Sequence, residues 1–138
     1  MGCSRAAASP NTVTQRRLFA ASAGYCQKPD CHRELFIDLP GAAIHIAEMA
    51  HVFAANNLGP RANPKLSSEE LASFENLILL CPTCHTIVDK APGQYPDNLI
   101  RHWKQVHAST LLSVFGVVRF ETRGELRIAI ETPLRANR

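Results

Sequence analysis

The fold turns on one stretch, Asn76-Leu77-Ile78-Leu79-Leu80-Cys81-Pro82-Thr83-Cys84-His85. A run of four apolar residues feeds straight into a Cys-x2-Cys pair, and a histidine follows the second thiol. Residues 83–90 predict a helix, which Pro92-Gly93 ends. A matching thiol pair stands some 50 residues upstream, Cys26-x4-Cys31, in a compact loop over residues 25–33. Thiolates on two tight loops can converge on one cation at ~2.3 Å, the ligand pattern of a structural zinc ion. Four thiolates close the tetrahedron and leave no open position, so such a site supports folding and does no chemistry. His32, beside Cys31, is a rival ligand.

Composition bounds the rest. The chain has 138 residues, 46% hydrophobic and 20% charged, which suits one globular domain with a short appendage and excludes a mostly disordered chain. No apolar run approaches the ~18 residues needed to cross a bilayer. The Ala-rich start does not read as a secretory signal, so a cytoplasmic location is the default. In that reducing setting, paired thiols favour metal over disulfides. Cys3 is left over, with no role assigned. The net charge of +3 is compatible with a polyanionic partner and too weak to prove one.

Outward from the thiols, the elements are short. A frayed end is expected over residues 1–11. A helix is expected over residues 12–23, with Val13, Leu18 and Phe19 on its apolar side, Arg16 and Arg17 facing water, and Gly24 as its stop. Residues 34–39 read as extended, ended by Pro40-Gly41. Residues 42–54 are ambiguous: Ala-Glu-Met-Ala favours helix, while Ile44, Ile46, Val52 and Phe53 favour strand. Residues 56–64 are loop. Ser67-Ser68-Glu69-Glu70 is a capping box opening a helix that ends near Glu75. From Pro96-Asp97 a longer helix carries Leu99, Ile100, Trp103, Val106 and Leu111 at helical spacing. Residues 117–120 and 126–130 alternate around Arg123-Gly124 and suggest a C-terminal β-hairpin.

Three residues stand in an informative order around the thiols. The segments are Glu48-x-x-His51-Val52, then Asn76 through His85, then Val88-Asp89. With Tyr95-Pro96-x3-Leu99-x3-Trp103-Lys104-x2-His107 behind them, they resemble the HNH endonucleases, in particular the HNH domains of bacterial anti-phage nucleases linked to SAVED modules. The resemblance covers about residues 16–107. It implies an α+β fold: a ββα-metal HNH core with a four-Cys zinc site at Cys26, Cys31, Cys81 and Cys84, flanking helices and the appended hairpin. Residues 44–52 then become the first strand, residues 77–80 the second and residues 83–90 the helix. With the frayed end and the hairpin read from the residues themselves, the expected division is a disordered terminus over 1–11, a nuclease domain over 12–112 and the hairpin extension over 113–138.

The resemblance also implies an activity, metal-dependent hydrolysis of DNA phosphodiester bonds, with double-stranded DNA as the expected target, in anti-phage defence. His51 maps onto the general base, a role that suits a neutral imidazole near pH 7. His85 maps onto the ligand of a catalytic Mg2+ or Mn2+ ion, and Asn76 onto the structural asparagine that holds the loop between the strands. Many members carry Asp or His immediately before the base as a second ligand; here Ala50 stands there. Glu48 or Asp89 can supply the missing oxygen. Asn76 can equally cap the Ser67 helix, and His85 can join the zinc site. Two other classes stay open: a non-catalytic, zinc-stabilised nucleic-acid-binding module, and a protein-interaction subunit. The basic hairpin suits a homodimer or a regulatory partner.

Overall fold

The computed structural model describes residues 8–56, 58–116, 122–125 and 127–128. In chain order the elements are α1 (Thr12–Ser22), β1 (Phe36–Leu39), β2 (Ala42–His45), β3 (Glu48–His51), α2 (Ser68–Leu71), a 3-10 turn (Phe74–Asn76), β4 (Leu77–Leu80), α3 (Pro82–Lys90) and α4 (Asp97–Val114). This is a mixed α+β arrangement with two small antiparallel sheets, β1–β2 and β3–β4.

β4 is the centre. Its four side chains are all buried, because the chain covers both of its faces. β3 pairs along one edge in the register Glu48↔Leu80, Met49↔Leu79, Ala50↔Ile78, His51↔Leu77. On the other edge Gln27 stands in for a strand: its backbone N–H donates to the Leu79 carbonyl (3.0 Å), and its side-chain oxygen accepts from the Leu79 N–H (2.8 Å). Gln27 is buried, and that reciprocal pair satisfies it, which is the condition for burying an amide at little cost. α1 and α3 pack on β4, and Leu18, Leu35, Val52, Val88, Ile100 and Trp103 complete the core.

Several elements follow their local chemistry. Asn11 caps α1 by accepting from the Thr14 N–H (2.9 Å), and the capping box Ser67–Glu70 opens α2. Gly41 turns the β1–β2 hairpin at φ +83°, a conformation open to glycine. Trp103 is buried beside the Cys26–Cys31 loop, with the Lys28 ammonium 5.4 Å from its ring.

Other expectations fail. The strand expected over 44–52 is two strands in two sheets. After His45 the chain leaves β1, and the Ile46 N–H donates to the Leu35 carbonyl (2.8 Å) before β3 takes β4 as its partner. Val13, expected on the apolar face of α1, is 65% exposed. The Ser67 helix stops at Leu71, and a 3-10 turn carries the chain to Asn76. In the end expected to fray, Ala8 is buried, 3% exposed, while Ser9 and Asn11 are exposed; residues 1–7 lie outside the described residues. Most of the C-terminal hairpin also lies outside them. The described part is helical at residues 123–125 and 127–128. Thr122 and Glu125 exchange the two hydrogen bonds of a capping box (3.2 and 3.4 Å), so Arg123-Gly124 opens a helical turn where a hairpin turn was expected.

α4 crosses beside α1 and the 3-10 turn. There the Lys104 ammonium donates to the Phe74 carbonyl and lies 3.5 Å from the Phe74 ring centre, while the Arg17 guanidinium lies 4.2 Å from the same centre. Burial pushes the Lys104 amine down to about 8, against the pull of Glu75 and with that of Arg17. Between about 8 and the usual 10.5 the unfolded chain keeps a proton that the folded chain has lost, so stability rises with pH across that window. Urea titrations of the parent and of Lys104→Met should therefore show the stability difference moving in the parent's favour from pH 8 to pH 10.5. A difference that stays constant with pH would refute the lowered amine.

Candidate metal centre and cleft

The thiols converge. One sulfur from each of Cys26, Cys31, Cys81 and Cys84 lies within 4.8 Å of every other. A tetrahedron with ~2.3 Å arms has edges of about 3.8 Å, and the Cys31 and Cys81 sulfurs are 3.9 Å apart. None of the four is in a disulfide. The donor set is that of a closed zinc site, and these cysteines can hold a metal such as zinc.

Local structure explains the convergence. Cys81 is the N-cap of α3, with Pro82 at the first helical position, and its sulfur accepts from the Cys84 N–H (3.5 Å). The Cys81 N–H in turn points at the Cys26 sulfur (3.3 Å). Burial pushes the Cys26 thiol up to about 11 and the Cys84 thiol up further still. For Cys81, burial also acts upward, but hydrogen bonds from the Cys84 amide and the neighbouring thiols outweigh it and lower the thiol. A helix N-terminus favours a thiolate in just this position. His32 and His85 both stand outside the cluster. His32 is exposed and stacks on His107, ring centres 6.0 Å apart.

A cleft of about 260 Å3 opens between the loop after β3 and the first two turns of α3. His51, Arg61, His85 and Asp89 line it. His51 ends β3, and His85 lies one residue past the Cys-x2-Cys pair, so β3–β4 pairing and α3 packing bring the two imidazoles to one cavity. The His51 Nε2 is 3.1 Å from the Ala8 carbonyl. His85 stands between both carboxylates considered for it: Nδ1 is 3.8 Å from a Glu48 oxygen, and Nε2 is 3.2 Å from an Asp89 oxygen. Strand alternation set Glu48 with Ala50, away from His51; the side chain nonetheless reaches His85.

Asn76 is buried and bonds to two segments. Its side-chain oxygen accepts from the Phe53 N–H (2.8 Å), and its amide nitrogen donates to the carbonyls of Phe53 (3.1 Å) and Leu71 (2.9 Å). It thus ties the loop after His51 to the end of α2. Three hydrogen bonds at about 1 kcal/mol each, on a buried side chain, predict that Asn76→Ala loses ~2–4 kcal/mol of stability by chemical denaturation. A loss under about 0.5 kcal/mol would show that the loop holds itself.

Arg61 has a bracing role that the sequence, which offers it as a phosphate contact or a solvated charge, does not assign. Its side chain is only 8% exposed, and its guanidinium donates to the Val52 carbonyl (3.0 Å), the Val88 carbonyl (2.9 Å) and Asp89 (3.3 Å). It pins the loop to α3 and neutralises Asp89. No short-range signal marks it, since its α3 partners stand 27 and 28 residues away. Gly59 also has a reason to be glycine: a Cβ there would come within 2.8 Å of the Ala54 Cβ. The remaining histidines serve packing or face water. His45 rests on Phe19, His107 is buried with Nε2 on the Ser22 carbonyl (2.9 Å), and His102 is exposed.

No protein-family model matches this chain, and no curated protein matches it.

Proposed function

We propose that the chain is a metal-dependent endonuclease that hydrolyses phosphodiester bonds of double-stranded DNA, with the HNH endonucleases as its likeness. One observation carries the reading: His51 and His85, from different elements, line the same cleft. What supports the assignment of roles is the chemistry around each ring.

A carbonyl only accepts hydrogen bonds, so a neutral His51 bonded to the Ala8 carbonyl carries its proton on Nε2. The lone pair then sits on Nδ1, which is the atom to take a proton from an attacking water. His85 presents its Nε2 to Asp89, leaving Nδ1 beside Glu48. Metal-binding imidazoles give their other N–H to a carboxylate in this way. Asp89 is further committed to Arg61, whose positive charge disfavours a cation there. His85 Nδ1 and Glu48 are therefore the residues to hold a divalent ion, Mg2+ or Mn2+, with water and phosphate oxygens at its other positions. Bound there, that ion supplies Lewis-acid polarisation of the scissile phosphate. Asn76 and Arg61 keep the loop that follows His51 against α3, and zinc on the four thiols fixes the start of α3 itself.

A second reading is favoured by Ala50, 1% exposed and without a ligand atom at the position where many HNH members carry one. It is a zinc-stabilised nucleic-acid-binding module with no turnover. Supercoiled plasmid incubated with the chain and Mg2+ or Mn2+ separates the two: nicked or linear product is expected, and duplex retardation with no product under either ion selects the second reading.

A further inference from the structure

Beyond the cleft, α4 presents a second concavity of about 340 Å3, lined by Phe74, Glu75, Arg101, Lys104 and Gln105 among others. Arg101 and Lys104 lie one turn apart on that helix. The Arg101 guanidinium sits 4.7 Å from the centre of the Phe53 ring, two residues past His51. Lys104 shares the Phe74 ring with Arg17, which arrives from α1. We propose that Arg17, Arg101 and Lys104, seated on the rings of Phe74 and Phe53, grip the sugar–phosphate backbone of nucleic acid and extend the His51–His85 cleft along α4.

The charge arrangement points to an anion. Two cations from different helices converge on one ring with one carboxylate, Glu75, beside them, so the cluster keeps a net positive charge that a phosphate between them would balance. Asp97, 3.7 Å from Arg101, and Glu75, beside Lys104, answer two of the three charges. Rings beneath the cations restrict them without neutralising them, so the guanidinium edges keep donors for phosphate oxygens. Phe53 supplies the continuity: Asn76 fixes its backbone, so Arg101 stands over a rigid neighbour of the base. Nothing among these contacts reads a base edge, which makes the grip indifferent to sequence.

The proposal rests on the cleft being a nucleic-acid site, but its test does not need turnover. The full-length, zinc-loaded chain carrying His51→Ala is titrated against a fluorescein-labelled duplex at several salt concentrations. Adding Arg101→Gln and Lys104→Met together should weaken binding roughly 10- to 100-fold and flatten the log–log salt slope by about 2; Arg17→Gln alone should flatten it by about 1. Arg101→Gln alone keeps the test independent of folding, since that side chain is 47% exposed, and it should flatten the slope by about 1. Unchanged affinity and slope in these variants overturn the grip, as does equal weakening toward polyglutamate, which would mark a site for acidic polypeptide. Weakened duplex binding with plasmid left uncut by the chain bearing His51 would sink the nuclease reading and leave the grip standing. Plasmid cutting with unchanged binding would do the reverse.

Discussion

Cys81→Ser is expected to abolish stoichiometric zinc binding and, with it, most of the folded population. Cys81 is the hub of the thiol cluster: its sulfur is 3.9 Å from that of Cys31 and accepts from the Cys84 amide, while its own amide points at Cys26. Serine removes the soft donor and shortens the reach. Structural zinc contributes about 10–16 kcal/mol in small metal-dependent folds, against a typical net stability of about 5–15 kcal/mol. Losing one of four ligands therefore threatens the whole margin. Bound zinc by elemental analysis and helicity by circular dichroism should fall together, and a strong chelator should do the same to the parent. Acid should act in that direction too, because metal ligation needs thiolates, and burial already holds Cys26 and Cys84 toward the protonated form. A Cys81→Ser chain that melts like the parent, with or without chelator, would show that the thiols carry no metal.

The second large effect concerns the cleft. His51→Ala should lower plasmid cleavage by ~10^2–10^4-fold, the usual weight of a positioned general base. The fold should survive, since the side chain is half-buried at a strand end and its backbone pairing with Leu77 does not depend on it. Its Nε2 meets a backbone carbonyl of the N-terminal segment, that of Ala8, and no strand pairing runs through that contact. Equal cleavage by parent and variant would falsify the assigned base. His85→Ala is a useful contrast, because it should raise the Mg2+ or Mn2+ concentration needed for half-maximal rate, whereas His51→Ala should leave that concentration unchanged.

What could be read from the residues was whatever local chemistry decides. The apolar run of β4, the Ser67 capping box, the turn at Gly41 and the two thiol pairs are each settled by a few neighbours in sequence, and each stands in the structure. Segment 42–54 was not legible in that way. Its break at Ile46 exists because β2 and β3 serve different partners, and no propensity within the segment encodes a change of partner. The Thr122–Glu125 capping box was local and visible, but alternation of apolar residues around it drew the reading to a hairpin. Arg61 and the Ala8–His51 contact depend on distant segments, 27 and 43 residues away, and have no short-range signature. Glu48 and Asp89 could be nominated but not placed; only the packed chain puts them on opposite nitrogens of one imidazole.

The interleaving of the thiols has a bearing on how the chain is made. Residues 26 and 31 leave the ribosome long before residues 81 and 84, so a nascent chain at first offers a metal only half its donors. β3 likewise waits for β4, and His51 has no His85 to face until α3 has emerged. Until synthesis passes that point the growing polypeptide holds neither knot nor cleft, and a cell translating it would meet both at once.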